Sequence, residues 1–175
     1  MTLEEAKAFY FQYNGYSFHM DREEPVKSSS FRRLNIGKDT LREWDEELLD
    51  GLFARLWADP AHVWIVHGDI LKIVGRNNGD AVRYLRRLLD EMEKSDRLDL
   101  FNVTLILENM AGRTESMSDG GVRLFCKYPA LIPRMNDVAE RLIAAGSANQ
   151  GADERFESAA RRYRSAYYKW HKAQS

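Results

Sequence analysis

The chain carries four histidines, one cysteine and a dense acidic run, the residue types from which hydrolytic and metal sites are built. His62 and His67 stand five apart. On a helix their side chains diverge by about 140°, which misses the i, i+4 spacing that lets two imidazoles reach one metal. His67-Gly68-Asp69 could set a carboxylate to orient an imidazole for proton transfer, although a mid-helix histidine is more commonly partly buried or solvated. Asp45-Glu46-Glu47 with Asp50 could meet a hard cation. Glu46 and Asp50, or Glu43 and Glu47, share a helical face, but such pairs ordinarily line a solvated surface. Cys126 sits in Leu-Phe-Cys-Lys among apolar neighbours and reads as a buried structural thiol. Gly112, Gly120 and Gly121 lack the spacing and the following Gly-Lys-Ser/Thr of a phosphate loop, and no Gly-x-Ser-x-Gly elbow occurs. The sequence therefore nominates no catalytic, metal-binding or cofactor-binding residue, and it leans away from an enzyme.

The C-terminal segment offers a different chemistry. Arg161, Arg162, Arg164, Lys169 and Lys172 occur with no acid among them, interleaved with Tyr163, Tyr167, Tyr168 and Trp170. Cations beside aromatics suggest phosphate contact with base stacking. The spacing suggests packing instead: Phe156, Ala160, Tyr163, Tyr167 and Trp170 fall four, three, four and three apart, a continuous helical stripe. On that reading the aromatics dock on a core, the basic residues face water, and Tyr168 alone is left to touch a partner. The candidate contact surface is Arg83, Arg86, Arg87, Arg123, Arg161, Arg164, Tyr168 and Lys172.

These residues sit in elements readable from pattern and caps. Thr2 and Glu5 form a capping box for a first helix, which Asn14-Gly15 stops. Residues 19–38 lose periodicity around Pro25 and Ser28-Ser29-Ser30 and read as a loop. Asp39-Thr40 with Glu43 caps a second helix, with Leu41, Trp44, Leu48, Leu52 and Leu56 buried and Asp45, Glu46, Glu47 and Asp50 wet. Asp59-Pro60 opens a segment over 61–74 ended by Gly75, which reads as helix with a β-hairpin as alternative. Asn77-Asn78-Gly79 turns the chain and Asp80 caps the next helix. Ser95 or Asp96 starts a segment through Met110, apolar on most sides over 98–107, where Leu98, Phe101, Leu105 and Ile106 are expected to be most buried. Arg113–Ser118 is a loop, Asp119–Lys127 a short helix, and Pro129 and Pro133 break the chain before a helix carrying Leu131, Met135, Val138 and Leu142. Residues 146–151 form a short linker to a C-terminal helix over 152–173.

The expected fold is all-α in one domain over 1–175: helical hairpins in a short array, or an irregular bundle. The alternative is α+β with strands at 61–74 and 98–107. With 175 residues the chain buries roughly 70% of its unfolded surface and needs no disulfide to fold. Eleven glycines and four prolines are too few for a turn-rich β-sandwich. No run of 18 apolar residues spans a bilayer, the acidic Met1–Glu5 start shows no signal core, and a single cysteine suits a reducing cytosol, so a cytoplasmic protein with no membrane partner is expected. The net charge of −1 opposes strong nonspecific nucleic-acid binding. The charge is uneven, however, and residues 113–175 carry net +4.

One pattern recurs. Asp39-Thr-Leu41-Arg42 and Asp80-Ala-Val82-Arg83 lie 41 residues apart, and Asp119-Gly-Gly-Val122-Arg123 follows about 40 later with one insertion. A period near 40 with two helices per unit is a solenoid signature. The pattern resembles the HEAT-type helical repeat, whose second helix often begins with an aspartate followed by Val-Arg. The resemblance implies stacked hairpins with a concave binding face. Trp44, Trp57 and Trp64 invite comparison with HEAT-like DNA-repair glycosylases, which use tryptophans and an aspartate in such a groove, but no catalytic role transfers to them. Two function classes follow: a non-enzymatic module that binds a protein, or a nucleic-acid-binding or DNA-repair-like protein using the basic C-terminal third. Basic residues in one continuous groove would favour nucleic acid, and scattered basic residues paired with acids would favour a protein partner.

Overall fold

A computed structural model describes residues 1–76, 80–94, 98–112, 120–148 and 153–172. Among them the secondary structure is helical with no strand: 61–74 is a 3₁₀ turn leading into helix, 100–107 is helix, and the α+β alternative falls. The helices are α1 (Leu3–Gln12), α2 (Ser17–Glu23), α3 (Pro25–Arg33), α4 (Lys38–Arg55), α5 (Val63–Arg76), α6 (Ala81–Met92), α7 (Leu100–Ala111), α8 (Gly121–Phe125), α9 (Ile132–Ser147) and α10 (Glu154–Lys172). No described helix is long and apolar enough to cross a membrane.

The caps act largely as their residue types require. Thr2 Oγ1 accepts from Glu5 N–H at 3.2 Å while Glu5 accepts from Thr2 N–H at 2.7 Å, closing the capping box. Asn14 and Gly15 then turn through φ 48° and 68°. Asp59 caps a 3₁₀ turn at Pro60–His62 that leads into α5. Asp80, Asp99 and Asp153 accept backbone N–H groups at the starts of α6, α7 and α10.

Four expectations are corrected. Residues 19–38 are not a loop: they contain most of α2 and all of α3, because Pro25 serves as a first helical residue, not as a breaker. Asp21 then ties the two helices, accepting from Ser28 Oγ at 2.5 Å and from Arg32. α4 begins at Lys38, one residue before Asp39, with Gly37 as its N-cap and no side-chain cap. Asp39 instead pairs with Arg42 at 3.4 Å. α5 continues through Gly75 to Arg76. Gly146 and Ser147 belong to α9, with Gly146 pressed under Phe156 of α10, so the linker starts later than 146. The turn at 77–79, the start at Ser95 or Asp96, the loop at 113–118, the cap Asp119 and residues 149–151 lie outside the described residues.

The core joins α4, α5, α6, α7, α8, α9 and the inner stripe of α10. α7 is central: it packs on α5, α8, α9 and, most extensively, α10. Two asparagines one heptad apart fix it to α5. Asn102 is fully buried, accepts from Trp64 N–H at 3.1 Å and donates to Pro60 O at 2.9 Å; Asn109 donates to Trp64 O at 2.9 Å. Buried amides of this kind cost stability unless both their ends are satisfied, so they set the register between the helices. Leu105 and Ile106 are buried as expected. Phe101 is 53% exposed and Leu98 only half-buried, although Asn102 and Val103 beside Phe101 are buried.

Candidate interaction surface

The eight nominated residues lie on α6, α8 and α10, and most of the described cations have company. Arg87 pairs with Asp50 of α4 at 3.0 Å and covers the Phe53 ring at 4.3 Å. Arg164 forms a two-bond fork on Glu140 of α9 at 2.9 and 2.6 Å, which draws the Glu140 carboxyl below its ordinary range. Arg123 lies over Trp170 at 5.2 Å, and Arg83 over its neighbour Tyr84 at 5.3 Å. Arg86, Arg161 and Tyr168 are exposed. The Lys172 side chain lies outside the description.

Among the tail aromatics, Tyr163 is fully buried, and burial pushes its phenol well above the ordinary range. Tyr167 and Trp170 are half-buried, not mostly buried, packing against the edge of the core. Arg161 and Arg164 face water as expected.

The acidic run of α4 faces several helices at once. Asp45 is not on the wet face: it is 5% exposed and holds Arg76 of α5. Glu47 pairs with Lys7 at 2.5 Å, and Asp50 with Arg87. Three carboxylates thus meet cations on α1, α5 and α6 and do not converge on a common point. No group of three His, Cys, Asp or Glu among the described residues is placed to hold a metal.

His67 and Asp69 point apart. Asp69 accepts from Asn14 at 3.2 Å and Tyr16 at 3.3 Å, with its carboxyl pushed up by burial. His67 is 1% exposed in a small cavity lined by Leu88, Met92, Met110, Phe125 and Met135, where desolvation lowers its pKa to about 4. The ring is neutral at pH 7, and among the described residues no carboxylate orients it. The three tryptophans also separate. Trp44 is core beside Tyr10, Trp57 donates to Glu91 at 2.8 Å, and Trp64 stands against Phe101.

That last pair belongs to a feature the sequence did not reveal. Trp64, Phe101, Leu105, Glu108, Arg155 and Arg162 line an open trough of about 420 Å³. The Trp64 and Phe101 rings meet edge to face at 6.4 Å. Arg155 grips Glu108 with two bonds at 3.0 and 3.1 Å, and Arg162 donates to Gly112 O at 2.8 Å at the end of α7. Ile65, next to Trp64 in the chain, is also exposed. The available signal was Phe101 itself, an aromatic in a segment that is apolar on most sides. The arginines come from 47 and 50 residues away, beyond any local pattern. No protein-family model, characterised protein or solved structure matches the chain.

Proposed function

We propose that the protein is a non-enzymatic interaction module that binds a protein partner through its helical surface. The observation that carries this reading is the neutralisation of its cations. Arg87, Arg134, Arg155 and Arg164, which could have supplied a phosphate-binding track, are each held by carboxylates of a neighbouring helix. Nucleic-acid affinity rests on several lysines and arginines releasing counterions together, and an arginine already forked on a carboxylate contributes little to that release. The exposed surface meanwhile offers aromatic and aliphatic contacts at Phe101, Ile65 and Tyr168, the residue types that anchor protein interfaces. The HEAT-like arrangement belongs to this proposal. Its support is the pair of Asp-x-aliphatic-Arg helix starts at Asp39 and Asp80, the second with its aspartate capping the helix.

The test is capture from cell extract on the tagged full chain, with and without nuclease. A protein retained after nuclease treatment, and released by substitutions on the exposed surface, supports the module. Capture that disappears with the nucleic acid supports use of the basic C-terminal third on DNA or RNA instead.

A further inference from the structure

We infer that the small cavity at His67 is a Cu(I) site, in which the imidazole and the thioether sulfurs of Met92, Met110 and Met135 take up a single copper ion. The site is separate from the partner-binding surface, so the failure of either reading leaves the other standing.

The donors come from four helices. His67 belongs to α5, Met92 ends α6, Met110 lies in the last turn of α7 and Met135 in the first turn of α9. All four line one cavity of about 20 Å³, room for one water-sized guest. Three of the chain's six methionines therefore border the same small space. Met110 owes its position to the missing side chain at Gly121. A Cβ there would stand 2.5 Å from Met110 Sδ and 3.1 Å from Leu71, which lies one turn along α5 from His67. Unbranched methionines have three rotatable side-chain bonds, so their sulfurs can turn toward a guest without backbone movement.

One polar atom in this space is unanswered. His67 Nδ1 is buried and has no hydrogen-bond partner among the described residues. Buried polar groups are ordinarily satisfied, so the atom points to a missing guest. A water fits by volume, but a buried water needs two to four polar partners, and His67 is the one nitrogen- or oxygen-bearing side chain of the lining. Zinc, magnesium and calcium draw on thiolates, carboxylates or several oxygens, and among the described residues no Asp, Glu or Cys lines the cavity. Thioethers are soft ligands that select Cu(I), and imidazole also suits copper. The charge agrees. Desolvation cost rises with the square of the charge, so a monovalent ion enters an apolar core at about a quarter of the cost of a divalent one.

The probe is Cu(I) itself, passed without oxygen to the full chain from a chromogenic copper chelate, with Zn(II) as the control. The expected result is one copper per chain, with nitrogen and sulfur in its X-ray absorption shell and shifts of the Met92, Met110 and Met135 methyl resonances. The melting temperature should rise, since an ion held by four helices binds the folded state. Leucine nearly conserves the volume of methionine, so Met92→Leu, Met110→Leu and Met135→Leu should fold. Each of them, and His67→Leu, should weaken Cu(I) binding about tenfold or more. Cys126 is outside the lining, so Cys126→Ser should bind as the unaltered protein does. Should His67→Leu fail to fold, the methionine variants and the methyl shifts carry the test. Absence of binding, equal affinity of the triple methionine variant, loss of binding in Cys126→Ser, or Zn(II) held as tightly as Cu(I) overturns the inference.

Discussion

Arg76 and Asp45 form a forked ion pair inside the junction of α1, α4 and α5, with Arg76 Nη2 at 2.5 Å from Asp45 Oδ1 and Nε at 3.2 and 3.3 Å from the two oxygens. Tyr10 donates to the same carboxylate at 2.8 Å, and the guanidinium lies 5.4 Å from the ring centres of both Tyr10 and Tyr16. Burial and the neighbouring carboxylate hold the Tyr10 phenol above its ordinary range. The pair ties the first helix to the central bundle.

Breaking one side of this pair leaves a buried charge alone. Asp45→Ala and Arg76→Met should each destabilise the fold by about 3–5 kcal/mol. The double variant Asp45→Leu/Arg76→Met should lose clearly less than the sum, since neither charge is then stranded. Urea unfolding of the three variants checks this. Additive losses would mean that the two groups are independently solvated.

Gly15 should tolerate no side chain. Its φ is 68°, and a Cβ would stand 2.4 Å from the Tyr10 ring and 2.5 Å from the Arg76 guanidinium. Gly15→Ala should cost about 2 kcal/mol or more by thermal melt, combining backbone strain with displacement of the ion pair. Gly37→Ala, where no atom lies within 4 Å, is the control and should change little.

The contrast between Asp45 and Phe101 shows what the sequence could convey. The helical class, most caps and most core positions follow from apolar period and capping chemistry, which act within a few residues; seven or eight helices were expected and ten are present among the described residues. Asp45 read as solvated because a carboxylate among Glu46, Glu47 and Asp50 ordinarily is. Its burial depends on Arg76, 31 residues away and carried there by the extension of α5 past Gly75. Phe101 read as core because its segment is apolar on most sides, but a helix is covered only where neighbours reach it. The trough was hidden for the same reason: its walls come from three segments with no shared local pattern. α2 and α3 were missed because Pro25 signals both a break and a helix start.

The tail should divide energetically between its two halves. Tyr163→Ala removes a fully buried ring and should cost about 3–5 kcal/mol. Trp170→Ala removes a half-buried ring held under Arg123 and should cost about 1–2 kcal/mol. Melts of both variants, run together, check the order; a larger loss at Trp170 would mean that the end of α10 is docked more deeply.

His67 should make the protein acid-sensitive. The unfolded chain takes up a proton near pH 6.5, while the folded ring refuses it until about pH 4. The unfolded state therefore holds more protons between those values, and stability falls as pH drops from 6.5 to 4, by about 3 kcal/mol in all. Its cavity neighbours Leu88, Leu89, Met92, Ile106, Leu107, Met110, Phe125, Met135, Val138, Ala139 and Leu142 carry no ionisable group that would offset this. His67→Leu should flatten the slope across that window in urea titrations at several pH values. An unchanged slope would assign the acid sensitivity to carboxylates elsewhere.

The most direct measurement of the binding reading is site-specific photo-crosslinking in cells, with a benzophenone amino acid placed at Phe101 in one variant and at Tyr168 in another. Both positions are well exposed, at 53% and 62%, so the label should not disturb packing. A discrete protein adduct at Phe101, resistant to nuclease, is the expected result. Nuclease-sensitive adducts at Tyr168 with none at Phe101 would contradict it and place the working surface on the basic tail.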